Sequence, residues 1–140
     1  MATTAALCNS FKQDLLAMTP HTAADVYKIA LYTDAGATLS KSTTAYTATG
    51  EVTGSGYTAG GITLSGISVT LDGDTAILDW TVDPSIGTAT ITADTGLIYN
   101  SSRSNKACAV VKFTSASSTA AAFTVQLPAP TAAAGLIRIA

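Results

Sequence analysis

Ile67-Ser68-Val69-Thr70-Leu71-Asp72-Gly73-Asp74-Thr75-Ala76-Ile77-Leu78-Asp79-Trp80-Thr81-Val82 is the stretch that decides the fold class. Ile67, Val69 and Leu71 alternate with polar residues at the two-residue period of a strand, and Asp72-Gly73-Asp74 supplies a tight turn. Ala76, Leu78, Trp80 and Val82 then resume the alternation. Two strands should fold back as a hairpin, with Trp80 on the core face and Asp79 on the polar one.

The pattern continues on both sides of the hairpin. Upstream, Tyr27, Ile29 and Leu31 oppose Lys28, Ala30 and Tyr32 across a strand. Ile62 and Leu64 share one parity, and the phase changes at Ser65-Gly66, where a bulge is expected. Downstream, Asp83-Pro84 stops the hairpin. Short strands are expected at 88–93, 96–99 and 106–113, and over Phe123, Val125 and Leu127. A polar turn at 100–105 and a Ser/Ala/Thr loop separate them, and Pro128-Ala129-Pro130 precedes a last strand at 136–139. About eight or nine short strands at such spacing predict a mainly β chain, an antiparallel β-sandwich of jelly-roll type.

One helix precedes them. Thr3 or Thr4 can cap it, and Leu7, Phe11, Leu15 and Met18 make a helical stripe ahead of Pro20. The expected organisation is one domain over 1–140, with a helix at about 4–18 and the sandwich over about 24–140.

Charged residues make up 11% of the 140 residues, whereas soluble domains carry about 25%, and roughly a quarter of the chain is Ser or Thr. A surface so short of charge is expected to be covered in the working state. The net charge is −2 and the basic residues are scattered, which argues against direct nucleic-acid binding. Met1-Ala2-Thr3-Thr4 lacks the basic and apolar regions of a signal peptide, and no apolar run is long enough to span a membrane. The expectation is a protein made in a cytoplasm, with no membrane partner.

The search for chemistry finds little. His21 is the only histidine and has no ligand-spaced neighbours, so it reads as a surface or capping residue. Asp72, Asp74, Asp79 and Asp83 read as turn and polar-face residues rather than a calcium site. Gly54-Ser55-Gly56 has no base in prospect, and Asn100-Ser101-Ser102 reads as a turn. Cys8 and Cys108 read as small buried thiols. The expectation is a non-enzymatic protein with no cofactor, no metal and no small-molecule substrate.

One tract suggests a role. Residues 43–61 are built from Thr, Gly, Ala and Tyr with a single charge, Glu51, in nineteen positions. Such a loop is a surface for something to lie against. Tyr46 and Tyr57 offer large contact area with a hydrogen-bonding tip, with Arg103 and Lys106 as secondary polar contacts. The competing reading folds both tyrosines back as lids. A third, carbohydrate binding, would stack sugars on Trp80, Tyr46 and Tyr57.

The order of segments is also familiar. It runs from Leu7-Cys8-Asn9-Ser10-Phe11-Lys12-Gln13-Asp14-Leu15-Leu16 to Tyr27-Lys28-Ile29-Ala30-Leu31-Tyr32 and Gly56-Tyr57-Thr58-Ala59-Gly60-Gly61. Leu97-Ile98-Tyr99-Asn100-Ser101-Ser102, Phe123-Thr124-Val125-Gln126-Leu127-Pro128 and Leu136-Ile137-Arg138-Ile139-Ala140 complete it. Over essentially its whole length the chain resembles the short capsid cement, or decoration, proteins of tailed bacteriophages. The resemblance implies a jelly roll on the outer surface of an icosahedral head, made in the host bacterial cytoplasm. It also implies a homodimer at two-fold positions that bridges subunits of the major capsid protein. A tail, neck or head-fibre component of the same virion would share the composition.

Overall fold

The computed structural model describes residues 3–140. Eight strands and one helix occur among them: β1 (Thr3–Leu7), α1 (Asn9–Leu16), β2 (Tyr27–Tyr32), β3 (Ile62–Thr63), β4 (Ile67–Asp72), β5 (Thr75–Trp80), β6 (Ser85–Asn100), β7 (Lys106–Thr124) and β8 (Ile137–Ile139). The chain is mainly β, with two antiparallel sheets. The larger has the order β1-β7-β6-β2-β3 and the smaller β4-β5-β8.

The hairpin forms where the alternation placed it. Asp72 pairs with Thr75 around Gly73, whose φ of 60° is the left-handed conformation that the first position of such a turn requires. Trp80 is 2% exposed and meets the Tyr27 ring edge-on at 5.4 Å, tying the small sheet to the large one. The face assignment needs two corrections. Asp79 is fully buried rather than on a polar face, because the segment after Pro130 covers that side of β5, and Leu136 N–H donates to its carboxylate at 3.1 Å. Val82 lies beyond the strand and is exposed.

Other boundaries move for identifiable reasons. The phase change at Ser65-Gly66 is a crossing between sheets and not a bulge: β3 pairs with β2, and β4 then pairs with β5. Residues 3–7 form an edge strand on β7, from Thr3 opposite Phe113 to Leu7 opposite Ala109, where a helix was expected from about residue 4. The helix is only Asn9–Leu16. Phe11 is buried, while Met18 is 90% exposed, so the expected stripe does not dock as a unit. The Ser/Ala/Thr loop is strand too: β7 runs unbroken through it opposite β6, taking up mismatches as register shifts between Ile86 and Ala89, Ala89 and Ile91, and Ala93 and Thr95.

A single cluster of buried residues draws on both sheets and the helix, including Phe11, Leu31, Tyr32, Trp80, Leu97, Val111 and Val125. Apolar burial at about 25 cal/mol per Å2 is the main force holding such an assembly together. The 33–61 connection lies over the large sheet, and it carries the tract that the sequence singled out.

Candidate functional site

The tract is stapled to the sheet along its length. Val52 N–H donates to the Leu31 carbonyl at 2.9 Å, Tyr46 N–H to Asn105 at 2.9 Å, and Thr90 N–H on β6 to Ser55 at 2.9 Å. Close approach demands glycine at its end. A Cβ on Gly61, where φ is +81°, would collide with the Ile29 carbonyl.

Glu51, the tract's one charge, organises it. Tyr57 Oη donates to Glu51 Oε1 at 2.6 Å and Tyr46 Oη to Oε2 at 2.7 Å, and Gly60 N–H donates to Oε1 at 2.8 Å. Tyr57 Oη also accepts Leu31 N–H at 2.9 Å, and Tyr99 Oη donates to the Gly60 carbonyl at 2.7 Å. The Tyr46 ring stacks on Tyr99 with centroids 4.8 Å apart. Burial, reinforced by the bond to Glu51, pushes the Tyr46 hydroxyl up to about 12 and the Tyr57 hydroxyl upward as well. Both tyrosines stay protonated donors at neutral pH.

Tyr46 and Tyr57 are thus brought together, but with their polar tips turned inward, as lids. What the tract shows to solvent is Thr44, Ala45, Ala48 and Thr49 in its first half and Thr53, Gly54, Ser55, Gly56, Thr58 and Ala59 in its second. Beside it runs an open groove of about 690 Å3 lined by hydroxyl-bearing side chains such as Thr33, Thr53, Thr90, Thr92 and Thr119.

Arg103 and Lys106 sit elsewhere, in a second polar cluster between the helix and the turn after β6. Arg103 Nε donates to Asp25 Oδ2 at 3.0 Å, and Lys106 Nζ contacts both Asp14 oxygens at 2.7 Å. Their side chains remain 39% and 40% exposed. The hydrogen bond from Arg103 holds Asp25 well below the usual carboxylate range, and that from Lys106 lowers Asp14. These two cations hold the turn in place, and their charge is matched internally.

His21 belongs to the same cluster, with a side chain only 1% exposed, which corrects the surface reading. Its Nε2 lies 2.9 Å from Asp14 Oδ2, and its Nδ1 lies 3.1 Å from Asn100 Nδ2. Asn100 Oδ1 accepts Ser102 N–H, so Nδ2 is the donor. Nδ1 therefore accepts, and the ring proton sits on Nε2 facing Asp14. Phe11 packs on the ring at 4.7 Å. A sealed imidazole cannot reach a substrate, and its work here is to join helix, turn and sheet.

No family model, curated protein or solved structure matches this chain. Several of the remaining acids serve the backbone, while Asp34 pairs with Lys112. Asp72 accepts Ala132 N–H at 2.7 Å, Asp83 accepts Leu127 N–H at 2.8 Å, and Asp79 accepts Trp80 N–H at 2.8 Å. Among the described residues no group of three or more His, Cys, Asp or Glu could hold a metal ion. Cys8, between β1 and α1, and Cys108, on β7, are buried free thiols joined by Cys8 N–H donating to the Cys108 carbonyl at 2.9 Å, and burial raises Cys8 to about 11.

Sequence reasoning missed Glu51, Asp14, Asp25 and Asn100. Glu51 did carry a signal: a lone acid in a Tyr-rich, Gly-rich loop is well placed to gather hydroxyl and amide donors. Asp14 and Asp25 carried little, since the Lys106 and Arg103 they bind lie 92 and 78 residues away.

Proposed function

We propose that this protein is a non-enzymatic structural component of a phage virion, a capsid cement protein that clamps neighbouring subunits of the major capsid protein on the outer surface of the head. The reading carries with it a jelly-roll winding of the two sheets. One observation carries most of its weight: the tract is fixed by Glu51 and main-chain bonds into a rigid shelf that displays an uncharged Thr/Gly surface. A pre-organised surface loses little entropy on docking, and uncharged backbone and hydroxyls suit a wet, polar protein interface. A cement protein stabilises its shell by binding the expanded lattice in preference to the immature one, so its affinity adds directly to shell stability.

On this reading contact comes from the shelf, Thr53 to Ala59, with Arg103 and Lys106 at a distance and the tyrosines as its supports. The carbohydrate reading is weakened, because Trp80 is in the core and the tyrosine hydroxyls are occupied. A tail, neck or head-fibre position is the second reading.

The test is co-sedimentation with heads assembled from the major capsid protein of the same virus, expanded and unexpanded, followed by cryo-EM of the decorated particles. Binding to expanded heads with density on the outer shell is the expected result. Failure to bind either form, or density confined to the neck or tail, would reject the cement reading.

A further inference from the structure

The small sheet ends on an open edge, since β4 pairs with β5 on one side only. Asp72 and Thr75 close a two-residue turn and so form a hydrogen-bonded pair. Thr81 N–H bonds to the Gly66 carbonyl at 2.8 Å in the same register, which fixes the same parity at the other end. Ser68, Thr70 and Asp72 therefore direct their main-chain groups to β5. Ile67, Val69 and Leu71 direct theirs outward, where no strand pairs among the described residues.

These same three residues are the apolar ones. Val69 is 67% and Leu71 75% exposed, and by register they share a face with Leu78, Ile137 and Ile139. Soluble proteins protect a strand edge with lysine, proline, a bulge or a cover. Ile67–Asp72 has no such device before its last residue.

We propose that β4 pairs antiparallel with β4 of a second copy, about a two-fold axis through Val69. The sequence is symmetric enough for an isologous contact: Ile67 and Leu71 flank Val69 at equal spacing with the same main-chain direction. In this register Ile67 faces Leu71 of the second copy, Val69 faces its own counterpart, and every outward main-chain group of the three finds a partner. Asp72 falls opposite Gly66, so no like charges meet. The two small sheets become one continuous sheet, and the exposed apolar side chains gain cross-strand neighbours. The inference concerns the isolated protein and stands apart from the capsid reading.

The experiment is sedimentation equilibrium on the purified chain at tens of micromolar. Wild type is expected at about twice 14.0 kDa. Val69→Lys puts two like charges together on the axis and should weaken the dimer at least about tenfold. Val69→Pro removes an outward N–H while sparing the β5 ladder, and should give monomer with unchanged circular dichroism. Thr70→Lys, on the opposite face, should leave the dimer intact. Val69→Cys should cross-link into a covalent dimer under mild oxidation. A monomeric wild type, a dimer indifferent to Val69→Lys, or a dimer that Val69→Cys does not cross-link would each overturn the proposal. Because no heads are present, failure here leaves the cement reading untouched. Head binding by a monomer would reject this inference alone.

Discussion

Replacing Glu51 with alanine should loosen the whole shelf. The carboxylate takes three donors, from Tyr46, Tyr57 and Gly60, and none has a substitute acceptor in place. Each stranded donor costs about 1–3 kcal/mol, and the half-buried setting of both tyrosines, where water can partly replace the lost acceptor, argues for the low end. The sum is about 3 kcal/mol. At about 4 °C per kcal/mol for a chain of this size, the unfolding midpoint falls by about 12 °C. Glu51→Gln keeps one acceptor oxygen and should lose about half as much. The single tryptophan, buried between the sheets, reports urea unfolding by fluorescence, and tyrosine absorbance reports the five tyrosines together. A Glu51→Ala protein within about 0.5 kcal/mol of wild type, the usual range of a neutral surface change, would refute the claim that this carboxylate holds the tract.

Trp80→Ala should destabilise by about 3–5 kcal/mol in urea unfolding, since the side chain lies between the two sheets. Asp14 and Asp25 sit below their ordinary value of 3.8, so the stability they lend is complete above that pH and is lost as pH falls through their folded values. Asp25→Asn should therefore flatten the acid limb of the stability profile. Asp79 works with the opposite sign, because burial raises it and penalises the fold as pH rises above 3.8. Native protein should resist thiol reagents at neutral pH, with Cys8 raised to about 11 by burial, and both thiols should titrate once urea unfolds the chain. Gly61→Ala should cost several-fold in yield and lower the thermal midpoint, because its Cβ meets the Ile29 carbonyl.

The β4–β5 hairpin and the Tyr27–Tyr32 strand were legible because two-residue alternation and a glycine turn are local signals. Residues 3–7 were not, for Thr-Thr-Ala-Ala-Leu shows no apolar alternation, its alanines disfavour a strand, and it takes its conformation from pairing with β7, a hundred residues on. Residues 114–122 read as a loop because their small Ser, Thr and Ala side chains, most of them exposed, leave no alternation to detect. Asp79 misled through parity: the backbone turned its side chain away from Trp80 as expected, but the segment before β8 roofs that face. At the candidate site, the tyrosines were found by composition, whereas the direction of their hydroxyls depends on Glu51 and on contacts with β2.

The pairing of β1 with β7 sets an order of events in time. Thr3 finds Phe113, and Tyr27 finds Asn100, so the large sheet cannot close until most of the chain has left the ribosome. Loop-closure entropy for such distant partners is met before any contact rewards it, and folding of this topology belongs to the millisecond-to-second range. The β4–β5 hairpin, closed by its own short turn, is free to form within microseconds. Its apolar edge is then bare while the rest assembles, and at high expression that interval is when chains would aggregate.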